Sequence, residues 1–146
     1  MSGDRFNERM PLGAETPEAA AREADIIVCV TLADRPFIEY EWLKKGCLLM
    51  NMADYEVSND CVAKASKIVV DNWDSIKHRM ISTVALMWKD GLIKDEDISA
   101  QLGEILIGSK PGRENDAETI CASRTKRSRR QETSPTSSGM PPDSSA

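Results

Sequence analysis

A chain of 146 residues with 40% hydrophobic and 29% charged side chains has the composition of one ordinary globular domain and no room for a second of full size. Its 19 Lys and Arg against 24 Asp and Glu give a net charge of −5, which disfavours a generally basic nucleic-acid binder. Apolar runs such as Ile26–Val30 fall well short of the roughly 18 residues that span a bilayer, and the charged amino terminus has no apolar stretch behind it. The expected setting is the cytoplasm, with neither membrane nor nucleic acid as partner.

Residues 1–14 read as a poorly ordered leader. A helix is expected over Pro17–Ala24, because Thr16 is a good N-cap, Pro17 fits the first helical position and acidic Glu18 suits the first turn. Asp25-Ile-Ile-Val-Cys-Val-Thr31 follows as a strand. A short helical signal at Glu41–Lys45 stops at Gly46, and Cys47–Met52 is the second strand. Ser58 is placed to cap a helix over Asn59–Ala65, and Lys67–Asp71 is the third strand. All three are continuous apolar runs, as expected where both faces of a parallel sheet are covered.

Beyond Asp71 the strand signal ends. Asp74–Lys89 and Asp95–Leu102 read as helices and Gly103–Ile107 as a short apolar packing element. Val84, Leu86, Met87 and Trp88 do not share one helix face, so Ser82–Lys89 must be mostly buried, or bury itself against something not present in this chain. Pro111-Gly112 marks a turn, and the apolar pattern stops after Glu118. Residues 121–146 carry five basic residues, Arg124, Lys126, Arg127, Arg129 and Arg130, against Glu132 and Asp143, and then a Ser/Pro-rich run. That composition buries too little apolar surface to offset chain entropy, so a disordered tail is expected there.

Strand and helix in alternation indicate an α/β fold, the second half of a doubly wound parallel sheet with flanking helices. In that architecture ligands bind beyond the carboxyl ends of the strands. The residues at those positions are Thr31 to Asp34, Ala53 to Glu56, and Asn72 to Asp74. Thr31 can hydrogen-bond a ribose or a phosphate, Asn51 offers both donor and acceptor, and Asp54 or Glu56 can move a proton. Each also has a plain structural reading: Thr31 as a strand terminator, Asn51 as a core polar group and Asp54 as a loop carboxylate. No G-x-G-x-x-G and no G-x-x-x-x-G-K-[ST] occurs, so no phosphate-cradling loop is recognisable. Cys29, Cys47, Cys61 and Cys121 include no C-x-x-C pair, and His78 is the one histidine, which argues against a metal site and for buried apolar thiols.

Several segments in order, Glu23-Ala-Asp-Ile-Ile-Val28, Thr31 with Pro36, Glu41-Trp-Leu-Lys-Lys-Gly46, Leu49-Met-Asn51, Lys67-Ile-Val-Val-Asp71, Leu102-Gly-Glu-Ile105 and Gly108-Ser-Lys-Pro-Gly-Arg-Glu-Asn-Asp116, resemble the ornithine cyclodeaminase and mu-crystallin family over residues 15–120. The resemblance implies a partial NAD(P)-binding Rossmann domain from an enzyme acting on small amino or imino acids by hydride transfer. It implies that Thr31, Asn51 and Met52 contact NAD or NADP and that Asp54 is the catalytic aspartate. The loop after Asn51 is shorter than in ornithine-cyclising members, which argues against that particular reaction. The family's glycine loop and substrate domain would lie upstream of residue 1. At Cys121 the sequence departs from the family's Ser-Val-Gly helix in a way that resembles a shifted reading frame. The expected function is therefore that of a fragment of such an oxidoreductase, inactive alone. The alternative is a half-domain that pairs with itself or a homologue through the strand at 25–31, left as an exposed apolar edge.

Overall fold

A computed structural model describes residues 13–125. Most of the expected leader (residues 1–12) and of the basic tail (126–146) lies outside the described residues. Helix α1 (Pro17–Arg22) starts where the sequence places it: Ala19 N–H donates to Thr16 Oγ1 at 3.1 Å, and Arg22 pairs with Glu18 one turn earlier at 2.6 Å. Strands β1 (Ile26–Cys29), β2 (Leu48–Asn51) and β3 (Lys67–Val70) match the three apolar runs. The Glu41–Lys45 signal becomes a single 3-10 turn at Tyr40–Trp42, and helix α2 (Asn59–Ala63) is shorter than expected.

The strand signal does not end at Asp71. Two further strands form, β4 (Ala100–Gln101) and β5 (Ile120–Ser123), and the sheet order is β1-β2-β5-β3-β4 with every pairing parallel. The boundary placed at Cys121 is thereby corrected: Cys121–Ser123 are not tail but the centre of the sheet, hydrogen-bonded on both sides. Four residues, Ile-Cys-Ala-Ser, suffice there because the ladders to β2 and β3 satisfy the backbone that composition alone left unpaired. The chain reaches this slot past Gly46, whose φ is +80° and whose missing side chain matters, since a Cβ would lie 2.0 Å from the Asp116 carbonyl oxygen. Only glycine combines that backbone with that approach.

The single helix expected over 74–89 is two. Helix α3 (Trp73–Arg79) ends at Met80, in the left-handed region at φ 53°, and α4 (Thr83–Lys89) begins after Ser82, whose Oγ accepts from Ala85 N–H. Thr83, Val84, Ala85 and Met87 are buried, as the lack of a polar face in this run requires. Asp95–Asp97 is a 3-10 turn rather than a helix, and helix α5 (Leu102–Leu106) leaves Leu106 and Ile107 exposed instead of packing them.

The core lies on one face of the sheet, where Cys29, Leu49, Cys121, Ile68 and Val70 meet Val62, Trp73, Ile76, Val84 and Met87. The opposite face is covered over β3 and β5 but not over β1, where Ile26 and Val28 are 61% and 54% exposed. Coverage of both faces, expected from the apolar runs, therefore holds for only part of the sheet.

Candidate functional site

At the carboxyl ends of the parallel strands, Cys29, Asn51, Ser123 and Val70 form one register row on the core face. Two members are polar and fully enclosed, Asn51 at 0% and Ser123 at 3% exposure. Asn51 Nδ2 donates to the Asp54 carbonyl at 3.2 Å, which folds the short loop after β2 back over the strand end. Among the described residues, Asn51 Oδ1, Ser123 Oγ and Asp54 Oδ1 are buried without a hydrogen-bond partner. Such groups are rare in folded proteins because each forfeits its hydration.

The organising side chain is Glu56, wholly buried. Its Oε1 accepts from both the backbone N–H of Thr31 at 2.5 Å and the Thr31 hydroxyl at 2.7 Å, while Oε2 accepts from Ala53 N–H at 3.2 Å. One carboxylate thus ties the loop after β1 to the loop after β2. A second pairing of the same kind stands at the far side of the row, where the Asp71 carboxylate accepts from Thr125 N–H and Thr125 Oγ1. Met52 N–H donates to Cys29 O and Arg124 N–H to Asn51 O, extending both neighbouring ladders by one bond.

Thr31, Asn51, Met52 and Asp54 therefore lie at the same end of the sheet, but they do not line one cavity. Thr31 lines an apolar groove of about 310 Å³ between Ala20, Ala24, Ile26 and Val28. Asp54 faces a separate crevice with Arg79, Ser82, Arg124 and Thr125. Sequence reasoning missed Ser123, Asp71 and Thr125 because the apolar triplet Ile120–Ala122 is too short to stand out beside a basic run. The four cysteines are buried and free. Burial, and after it the charge of Glu56, pushes the Cys29 thiol up to about 12, and burial does the same for Cys121, so neither is a nucleophile at neutral pH.

Residues 9–125 match the ornithine cyclodeaminase/mu-crystallin family. The chain belongs to this family. The match runs through β5, so Cys121–Thr125 lie within the family pattern and the departure expected at Cys121 does not begin there. An N-((2S)-2-amino-2-carboxyethyl)-L-glutamate dehydrogenase of Staphylococcus aureus is 32% identical over 121 residues, covering 80% of this chain and 36% of that protein. A delta(1)-pyrroline-2-carboxylate reductase of Bacillus cereus is 37% identical over 107 residues, covering 70% of this chain and 32% of its own length. Among solved structures, the Thermococcus litoralis delta(1)-pyrroline-2-carboxylate reductase in complex with NADH and L-proline superposes with a TM-score of 0.67 at 26% identity, covering 77% of this chain and 36% of that one. This ornithine cyclodeaminase/mu-crystallin chain spans about a third of the length of the relatives it matches.

Proposed function

We propose that this chain supplies the nicotinamide-side part of the dinucleotide-binding domain of a cytoplasmic NAD(P)-dependent oxidoreductase or deaminase acting on small amino or imino acids, and that it is inactive by itself. The observation that carries this reading is the pair of buried, unpartnered polar groups, Asn51 Oδ1 and Ser123 Oγ, at the carboxyl end of adjacent parallel strands. That is where an α/β sheet receives its ligand, and an amide-bearing ring suits neutral donors and acceptors better than charged ones. NAD or NADP bound there supplies the acceptor or source of a hydride. In this reading Thr31, Asn51 and Met52 orient the cofactor, and Asp54 holds or moves a proton at Oδ1. Among the described residues no helix is long and apolar enough to cross a membrane.

The test has two arms. Titration of the purified chain with NADH and NADPH, followed by nucleotide fluorescence, is expected to show no micromolar binding; saturation in that range overturns inactivity in isolation. Joining the chain to the amino-terminal part of the Staphylococcus relative is expected to restore NADH binding, with Asn51→Ala weakening it about tenfold, the cost of about one buried hydrogen bond. A fusion that folds and binds nothing overturns the cofactor role.

A second reading, association through the sheet edge, is favoured by one observation: Ile26, Val28, Val30 and Leu32 form a stripe on and beyond β1 that is 54–88% exposed. An exposed apolar edge strand is a template for pairing. Sedimentation velocity of the chain distinguishes the two, since a clean monomer at tens of micromolar removes the second.

A further inference from the structure

We infer that Glu56 is a positioning residue that fixes the Thr31 hydroxyl as a hydrogen-bond acceptor, so that the loop after β1 takes a neutral donor such as a sugar hydroxyl or an amide N–H and rejects a phosphate. A threonine hydroxyl has one proton and two lone pairs. The proton is committed to Glu56 Oε1 at 2.7 Å, and one lone pair accepts from Ala33 N–H at 3.2 Å. What remains is one lone pair, and Thr31 is exposed and lines the groove beside β1. A phosphate oxygen needs a donor, and this hydroxyl has none to give.

The backbone points the same way. Thr31 N–H, the other donor a strand end offers to an anion, is also committed to Glu56 at 2.5 Å, and Ala53 N–H donates to the second oxygen at 3.2 Å. Glu56 thus consumes three donors at the strand ends and places a carboxylate directly behind them. The result is a β1 loop whose nearest donors are already spent on Glu56, while the Thr31 hydroxyl oxygen keeps one free lone pair. This deepens the cofactor reading by assigning the β1 loop a neutral, donor-bearing portion of the ligand, but the device itself stands on the hydrogen bonds alone.

The test uses the full chain and no nucleotide. Amide hydrogen exchange resolved by NMR is expected to show Thr31 and Ala53 protected in the wild type and roughly tenfold faster in Glu56→Gln, the loss expected for one charge-assisted bond, with Val69 and Val70 of β3 unchanged. Inorganic phosphate is expected to leave the Thr31 amide resonance unmoved in the wild type and to shift it in Glu56→Leu, where no acceptor remains and the hydroxyl proton is freed. If Glu56→Gln does not fold, the pair Thr31→Ser and Thr31→Val decides: Ser keeps the hydroxyl and wild-type exchange at Ala53, whereas Val speeds it. Equal rates in Ser and Val, unchanged exchange in a folded Glu56→Gln, or a phosphate shift in the wild type each overturn the proposal. Failure of NADH binding in the fused protein leaves these exchange rates untouched, so the two readings fail separately.

Discussion

Val28, Met50, Ala122, Val69 and Ala100 are register partners in one row across the sheet, yet exposure falls from 54% at Val28 to 8% at Val69 and 1% at Ala100. The same kind of apolar strand is thus a surface at one side of the molecule and a core at the other. In the row on the opposite face, Leu49, Cys121 and Ile68 are all buried under helices, with Leu49 at 0%. β1 and β4 are both edge strands paired on one side only, so what differs between them is neither propensity nor strand pairing but what covers the outer face. Composition is a statement about strands, and burial is a statement about what lies beside them.

The largest effect that would break this contrast comes from the centre. Cys121→Asp puts a charge where the structure offers no partner, and cooperative unfolding in urea followed by circular dichroism should be lost altogether. Leu49→Ala should cost about 2–5 kcal/mol by the same measurement, because the cavity lies between the sheet and its helices. Gly46→Ala should cost more than about 2 kcal/mol, since both the backbone angle and the Asp116 carbonyl oppose a side chain. A loss below about 0.5 kcal/mol there would mean that the 116–119 segment moves aside freely.

Alkaline pH should act on the core side as well. Cys29 and Cys121 are held protonated up to about 12 in the folded chain, whereas an unfolded thiol ionises near about 8.5. Above that pH the unfolded chain releases protons that the folded chain keeps, so stability is fully present below about 8.5 and declines as pH rises toward 12. The urea midpoint should fall between pH 8 and pH 10, and Cys29→Ala should make that fall shallower. At the β1 edge the expected effect is smallest: Val28→Thr should change stability by less than about 0.5 kcal/mol while reducing any self-association seen in sedimentation. A loss as large as that of Leu49→Ala would show that the β1 face is covered in solution.

Much of this was readable in advance. Thr16 and Pro17 announce α1 by chemistry local to one turn, and the three apolar runs announce β1, β2 and β3 because a buried parallel strand needs little else. The break at Met80 was not readable, since a methionine carries no preference for the left-handed region that it adopts. Nor was β5, because four residues without alternation acquire their identity from the slot between β2 and β3. Of the candidate site, Thr31, Asn51 and Asp54 were legible from their places at the ends of apolar runs and Met52 only from the family resemblance, and Glu56 stood among the residues able to move a proton. Its engagement of Thr31, 25 positions away, did not follow.

The sequence by itself determined the fold class and the family, because periodicity, capping and motif order are properties of neighbouring residues. Only the tertiary structure decided that Ser123 closes the polar row, that Glu56 turns Thr31 into an acceptor, and that one face of β1 stays open. Each of these depends on groups distant in the chain meeting across the sheet, where hydrogen-bond partners and burial are assigned by packing and not by local order.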